Sequence, residues 1–168
     1  MSRKGESIMP NEPKDQLLLT DFLSAERILF LRGRQKKDAV LNALIDTLAK
    51  IPEIGTRDDI AWGIFHRESL MTTGIGSGIA VPHFRLDAIE NSFAAVAVAP
   101  EGIVDYPSRD QSPVRLVFMI IAGKQQKMLH VRLLSLISKL FFDGRLKAAF
   151  LAANDSGTCM DILRRAER

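Results

Sequence analysis

A continuous apolar run from Val114 to Ala122, VRLVFMIIA, is the feature that most restricts how this chain can fold. Apart from Arg115 the run has no charged or polar side chain, which is typical of a central strand covered on both faces. Gly123 ends the run. A strand of this kind needs other apolar elements on both sides, so it predicts the middle of a layered domain.

Helical and strand-like segments alternate around this run. The predicted helices cover residues 36–50, 56–68, 128–142, 145–153 and 158–166. Each of the two longest places its apolar residues at helical spacing. The further strand-like segments are residues 28–31, 79–81, 92–99 and 103–106. Strands interspersed with helices predict an α/β domain.

The length and composition suit one ordinary globular domain. A chain of 168 residues is long enough for one full core. With 46% apolar and 26% charged residues, it does not have the composition of a disordered protein. Residues 1–16 are polar and contain two prolines, so we expect a flexible tail followed by a domain over 17–168.

Several classes of protein are disfavoured by composition. The net charge of +3 is small, and we find no basic helix interleaved with aromatic residues, so we expect no nucleic-acid partner. Cys159 is the single cysteine, which excludes an internal disulfide and fits a reducing compartment. No apolar run approaches the roughly 20 residues needed to span a bilayer, and no signal peptide is recognisable. We therefore expect a cytoplasmic protein.

A second informative stretch runs from His66 to Arg85 and reads HRESLMTTGIGSGIAVPHFR. It contains three glycines at alternate positions, Gly74, Gly76 and Gly78. Glycine permits positive φ and a close approach of a ligand, and exposed N–H groups in such a loop can bind an anion. The plain alternative is an ordinary turn. The spacing G-x-G-x-G does not match the dinucleotide fingerprint, and no P-loop motif occurs.

The stretch ends in a strand-like run followed by Pro82 and His83. Ile79 to Val81 is apolar and β-prone, so we predict a strand there. Pro82 cannot donate to a sheet ladder and therefore suits a strand end, and we expect a turn after His83. At a sheet edge His83 could act as a nucleophile or general base, although a lone histidine after proline is more often a plain surface residue.

These residues resemble the active-site signature of the enzyme IIA domains of the fructose/mannitol type. That family belongs to the bacterial phosphoenolpyruvate-dependent sugar phosphotransferase system and includes the nitrogen-regulatory enzyme IIA proteins. The matching residues are Arg67-Glu68, Thr73 to Gly76 and Gly78 to His83. The likeness extends from about Leu17 to about Ala166. It implies a single domain with a mixed, mostly parallel β-sheet sandwiched between helices.

The resemblance implies that His83 accepts a phosphoryl group from the phosphocarrier protein HPr and passes it on. It also implies that His130 lies beside His83 and orients it or binds the phosphoryl group, whereas helical spacing alone favours a buried core histidine. Arg67 would stabilise the phosphoryl charge, because a planar guanidinium can bind two oxygens at once. The plain alternative for Arg67 is a helix-end cation.

The resemblance offers further candidates for phosphoryl binding, namely Glu68, Thr73, Gly74, Gly76 and Gly78. Glu68 could equally pair with Arg67 or be solvated, and Thr73 could equally cap the turn. We expect no metal, since the histidines lack carboxylate or cysteine partners at metal spacing, and no cofactor. One departure is Phe84, a bulky residue where the family commonly has glycine after the Pro-His pair.

Three functions stay open from the sequence. A free-standing enzyme IIA favours a regulator, in which phosphorylation switches binding to a regulated target protein. The alternative is a sugar-uptake carrier that donates to a separate enzyme IIB, peripheral to a membrane permease at most. A third possibility is a non-transferring binding module on the same fold. Retention of His83, His130 and Arg67 disfavours this last one, and nothing in the sequence specifies a sugar.

Overall fold

The computed structural model describes residues 16–124 and 128–168. Within these ranges the chain forms six β-strands and five α-helices. The strands are β1 (Ile28–Phe30), β2 (Gly74–Gly76), β3 (Ile79–Ala80), β4 (His83–Leu86), β5 (Phe93–Ile103) and β6 (Val114–Gly123). The helices are α1 (Lys37–Ala49), α2 (Arg57–Leu70), α3 (Leu129–Phe141), α4 (Arg145–Ala152) and α5 (Ser156–Ala166). The expected flexible tail lies outside the described residues, apart from Gln16.

The strands form one mixed sheet in the order β1-β5-β6-β3-β2, and β4 also pairs with β6. The pairings of β1 with β5, and of β3 and β4 with β6, are parallel. Those of β5 with β6 and of β2 with β3 are antiparallel. The apolar run predicted as a central strand is β6, and all of its residues except Arg115 are buried.

The sheet separates two hydrophobic cores, because successive residues of a strand point to opposite faces. Alternate residues of β6 starting from Leu116 belong to a core shared with α3, α4 and α5. The intervening residues starting from Val117 belong to a core shared with α1 and α2. The chain is therefore an α/β sandwich with helices on both faces of a mixed sheet. None of the helices in the described ranges is long and apolar enough to cross a bilayer.

Two local predictions were wrong. The turn expected after His83 is strand β4, whose residues His83 to Leu86 pair with Ile120 to Gly123 of β6. The two strands expected at residues 92–99 and 103–106 are instead one strand, because β5 continues from Phe93 to Ile103 and the next two residues form a turn. Gly102 has a φ of 86°, which allows the register shift between Val98 and Ile103 without a turn.

Candidate functional site

A cleft of about 250 Å³ opens at the edge of the sheet formed by β4. The last turns of α2 approach this edge from one face, and the first turn of α3 approaches it from the other. The residues that matter for its chemistry are His66, Arg67, His83, Phe84 and His130, all in its lining. The fold thus brings together three predicted site residues from separate parts of the chain, namely His83, His130 and Arg67.

His83 is half-buried, and its ring is held by one backbone group. Its Nδ1 lies 2.9 Å from the carbonyl oxygen of Val81. Because a carbonyl oxygen can only accept, Nδ1 carries the proton and donates it to Val81. The other nitrogen, Nε2, is then the unprotonated one. This tautomer gives the imidazole a lone pair for nucleophilic attack.

The surroundings of His83 also favour its neutral form. Burial lowers the pKa of His83 below its ordinary value, because desolvation penalises the charged ring. The positive charges of Arg67 and His130 lower it further. The hydrogen bond to the Val81 carbonyl and the carboxylate of Glu68 act in the opposite direction. The neutral imidazole is the form that has a lone pair with which to attack a phosphorus atom.

His130 lies in the first turn of α3 and stacks on the ring of His83. The two ring centroids are 5.2 Å apart, and the planes differ by 14°. The spacing on α3 puts His130 beside the apolar face of the helix, but its ring lines the cleft and is only half-buried. The stacking restricts rotation of the His83 ring.

Arg67 lies in the last turn of α2 and reaches the cleft from the opposite face of the sheet. Its Nη1 donates to the carbonyl of Met71 at 2.9 Å, which fixes one side of the guanidinium. The remaining N–H groups have no partner among the described residues. A guanidinium anchored on one side and free on the other is suited to binding the oxygens of an anion.

Phe84 follows His83 in β4 and fills the α2 side of the cleft. A methyl group on Gly63 of α2 would overlap the ring of Phe84. Helix α2 therefore has a glycine at the position that faces the bulky Phe84 ring of β4. This pairing explains how the chain accommodates Phe84 next to the histidine, although a helical glycine has a cost in stability.

The three glycines do not line the cleft. They belong to a hairpin, which we call the glycine hairpin, formed by residues 74–80 of β2 and β3. Its turn residues Ser77 and Gly78 have φ values of 55° and 75°, which matches a type I′ turn. The predicted loop is thus a hairpin in the middle of the stretch from His66 to Arg85, and it does not line the cleft that holds His83.

Two N–H groups at the turn of the glycine hairpin are already used within the chain. Those of Ser77 and Gly78 donate to the side chains of Asp110 at 2.8 Å and Ser112 at 3.1 Å. Gly74 is required by packing, because an added methyl group would overlap the backbone carbonyl of Pro107. Gly74, Gly76 and Gly78 thus lie outside the cleft lining, and the N–H groups at the turn are bonded within the chain.

Glu68 and Thr73 are buried away from the cleft. The Glu68 side chain is 4% exposed and forms an ion pair with Lys37, at 2.8 Å. The Thr73 hydroxyl contacts both Glu68 and the hydroxyl of Tyr106. Neither Glu68 nor Thr73 is among the residues that line the cleft with His83. Lys37 and Tyr106 were not predicted, since each is distant in sequence and neither belongs to a local motif.

The chain matches the family described as "Phosphoenolpyruvate-dependent sugar phosphotransferase system, EIIA 2" over residues 21–166. A fructose-specific EIIABC component from Bacillus subtilis is 30% identical over 89% of this chain, which spans 24% of that larger protein. A nitrogen regulatory protein from Bradyrhizobium diazoefficiens is 31% identical over 86% of this chain and 94% of its own length.

The fold is also similar to that of solved structures. Enzyme IIA for mannitol from Escherichia coli, solved in complex with phosphorylated enzyme IIB, superposes with a TM-score of 0.70. That likeness covers 85% of this chain and 97% of the other at 20% identity, so it concerns the fold alone. The family match extends over nearly the whole described domain. The chain therefore belongs to the EIIA 2 family of the phosphoenolpyruvate-dependent sugar phosphotransferase system and is an enzyme IIA-type phosphocarrier domain.

Proposed function

We propose that this chain carries its phosphoryl group on Nε2 of His83, within a carrier domain formed by residues 17–168. The observation that carries the proposal is the hydrogen bond from Nδ1 of His83 to the Val81 carbonyl, which leaves Nε2 unprotonated in the cleft. The lowered pKa of His83 keeps the ring neutral near pH 7.

The proposed reaction is a displacement at phosphorus. The lone pair of His83 Nε2 forms a new N–P bond while the bond between phosphorus and the donor's histidine breaks, and the donor nitrogen keeps that electron pair. During the step, charge on the equatorial oxygens is stabilised by Arg67 and by the ring of His130. Catalysis of phosphoryl transfer consists mainly of such positioning and charge stabilisation.

The donor is an HPr-type phosphocarrier protein. Three exposed apolar side chains support docking of such a protein, and each is close in sequence to a residue that lines the cleft. Leu70 and Met71 follow Arg67, and Met128 precedes His130; their exposed fractions are 69%, 57% and 60%. Apolar groups of this size on a surface favour contact with a protein partner.

Two roles follow for the phosphorylated protein, and both use the same surface. In the first, a phosphoryl group adds about −1.5 to −2 charge at the cleft and switches the binding of a regulated target protein. The match to a nitrogen regulatory protein over 94% of its length supports this role. In the second role the group passes to a separate enzyme IIB, as the fold shared with mannitol enzyme IIA in its complex with enzyme IIB suggests.

The experiment that tests the carrier chemistry is an intact-mass measurement after incubation with phosphoenolpyruvate, enzyme I and HPr. We expect one phosphoryl adduct on the native chain, which acid removes. His83→Gln removes the nucleophile and should carry no adduct. The matched control is His66→Gln, because His66 lines the same cleft but stacks on the exposed Trp62 ring at 4.9 Å.

The outcomes separate the proposed functions. An adduct on the native chain and on His66→Gln, but not on His83→Gln, is the expected result. If HPr and its cognate relatives are phosphorylated but the native chain carries no adduct, the carrier mechanism is overturned. The function as a binding module then remains. Transfer from the phosphorylated chain to a purified enzyme IIB would favour the sugar-uptake role over the regulator.

A further inference from the structure

A buried polar cluster begins at the residue that follows Arg67. Its four side chains are Glu68 from α2, Thr73 before β2, Tyr106 after β5 and Lys37 from α1, and we call it the Glu68 cluster. The Thr73 hydroxyl contacts Glu68 Oε1 and lies 2.6 Å from the Tyr106 hydroxyl, which donates to the same carboxylate oxygen at 3.2 Å. The cluster joins four separate segments of the chain.

The charges of this cluster are costly to bury. A carboxylate that is 4% exposed loses most of its hydration, and only an ion pair with good hydrogen bonds offsets that loss. The Lys37 ammonium supplies the pair to Glu68 and also lies 4.7 Å from the centre of the Tyr106 ring. Apolar residues could fill the same space more cheaply. A contribution to the stability of the fold therefore does not explain the cluster.

Two hydrogen bonds, one between backbone groups and one from the His83 ring, connect the cluster to the nucleophile. The carbonyl of Thr73 accepts from the N–H of Val81 at 2.9 Å. The carbonyl of the same Val81 accepts from Nδ1 of His83, also at 2.9 Å. Thr73 is 3% exposed and Val81 is fully buried, so water does not compete for these bonds. The position of Thr73 thus determines where the carbonyl that selects the His83 tautomer lies.

We propose that the Glu68 cluster is a positioning device for His83. Glu68 and Tyr106 hold the Thr73 side chain, Thr73 holds the Val81 peptide, and Val81 keeps the proton on Nδ1 so that Nε2 is free. Glu68 and Thr73 act through other groups and do not touch the phosphoryl group. The purpose of this device rests on the proposed carrier function. The tautomer of His83 that the device selects, in contrast, is a property of the unphosphorylated protein.

The first test is Thr73→Val, which removes the hydroxyl and keeps the shape of the side chain. Nitrogen-15 NMR of the histidine rings reports the tautomer directly. We expect the native His83 to be almost wholly protonated on Nδ1 and the variant to show a mixture of both tautomers. The rate of phosphoryl acceptance from HPr should fall about tenfold, since a misplaced nucleophile is costly. Thr73→Ser restores the hydroxyl and should recover both values.

The matched control is Thr47→Val. Thr47 is also a buried threonine, but its hydroxyl donates to the Ala43 carbonyl within α1. This variant loses one hydroxyl hydrogen bond and should leave the His83 tautomer unchanged. Tyr106→Phe gives a second test through another member of the cluster, with a smaller shift in the same direction. If Thr73→Val does not fold, the result for Tyr106→Phe tests the positioning role in its place.

The outcomes distinguish this inference from the carrier function. An unchanged tautomer and an unchanged acceptance rate in the Thr73 and Tyr106 variants, with the native chain phosphorylated, would overturn the positioning role alone. An equal shift in Thr47→Val would also overturn it, because the effect would then be general destabilisation. A tautomer shift in a protein that accepts no phosphoryl group would support the positioning and contradict the carrier function.

Discussion

The cleft at His83 and the glycine hairpin belong to one stretch of sequence, yet they differ in how their polar groups are used. In the cleft, Nε2 of His83 and one side of the Arg67 guanidinium have no internal partner among the described residues. In the hairpin, the N–H groups of Ser77 and Gly78 are bonded to Asp110 and Ser112. We therefore propose that the cleft, with its donors and nucleophile unpartnered within the described ranges, and not the hairpin, receives the phosphoryl group.

This difference shows that a residue's type does not tell whether it is available for chemistry. Glycine-rich segments can bind anions, but only when their N–H groups point into open space. Here the segment after β5 lies against the hairpin and uses those groups. The cleft and the hairpin should therefore respond oppositely to substitution. Changes in the cleft should alter transfer with little loss of stability, and changes in the hairpin should do the reverse.

The largest effect is expected for Arg67→Gln. Loss of the guanidinium removes the main charge stabilisation for the equatorial oxygens, and we expect the acceptance rate to fall about a hundredfold. The measurement is a single-turnover transfer from phosphorylated HPr. Arg67→Lys keeps the charge but loses the planar fork, so an intermediate rate is expected. A rate within twofold of the native value for Arg67→Gln would show that the cleft does not act as described.

The next effect concerns the hairpin. Gly74→Ala introduces a methyl group that overlaps the backbone at Pro107, and a backbone cannot shift as easily as a side chain. We expect a loss of roughly 1–3 kcal/mol in the free energy of unfolding, measured with urea. The folded fraction should still accept phosphoryl groups at the native rate. Gly157→Ala serves as the comparison, because its methyl group meets no backbone atom in the described part of the chain and only the carboxylate of Asp155, the N-cap of α5, at 3.2 Å.

The pH dependence of transfer should follow the titration of His83. Since burial lowers its pKa below the ordinary value of about 6.5, the neutral form of the nucleophile predominates at and above that pH. The acceptance rate should therefore be near its maximum at neutral pH and fall as the pH drops through the lowered pKa. In His130→Gln one positive neighbour is gone, so the acid limb should move to higher pH. An acid limb centred above pH 6.5 in the native protein would contradict this account.

The same shift predicts a change in stability with a defined sign. The unfolded chain binds a proton at His83 more readily than the folded chain does. His83 therefore contributes stability that is present above its unfolded pKa and is lost as the pH falls through the folded pKa. A comparison of native protein and His83→Gln by urea unfolding across this range measures the contribution.

The smallest effect is expected for Asp110→Asn. The hydrogen bonds from Ser112 and from the Ser77 N–H lower the pKa of Asp110, so the carboxylate stabilises the hairpin above its unfolded pKa of about 3.9. Asp110→Asn should lower the melting temperature slightly at pH 7 and leave phosphoryl transfer unchanged. The difference from the native protein should shrink as the pH falls below 3.9. A loss of transfer would mean that the hairpin takes part in the chemistry.

The fold was largely predictable because its strongest elements are decided by local pattern. The apolar run at β6 and the amphipathic spacing of α1 and α3 lie where periodicity placed them. Strand β4 was missed because its four residues, HFRL, are extended only through pairing with β6, which is a contact distant in sequence. The hairpin was predicted as a loop for the same reason, because its turn is stabilised by the segment before β6.

The candidate site was predictable in part. His83, His130 and Arg67 share a cleft, as the resemblance to the enzyme IIA family implied. Glu68 and Thr73 lie in the same motif but are buried, since their partners Lys37 and Tyr106 come from elements far along the chain. Sequence alone does not show which polar residues of a motif face solvent and which face each other.

The measurement that tests the central claim most directly is the position of the phosphoryl group on the native chain. Protein phosphorylated through enzyme I and HPr is digested at alkaline pH, where phosphohistidine survives, and the peptides are fragmented by mass spectrometry. The account predicts an acid-labile phosphoryl group on His83. A group on His66 or His130, or an acid-stable group on a hydroxyl of the glycine hairpin, would contradict it.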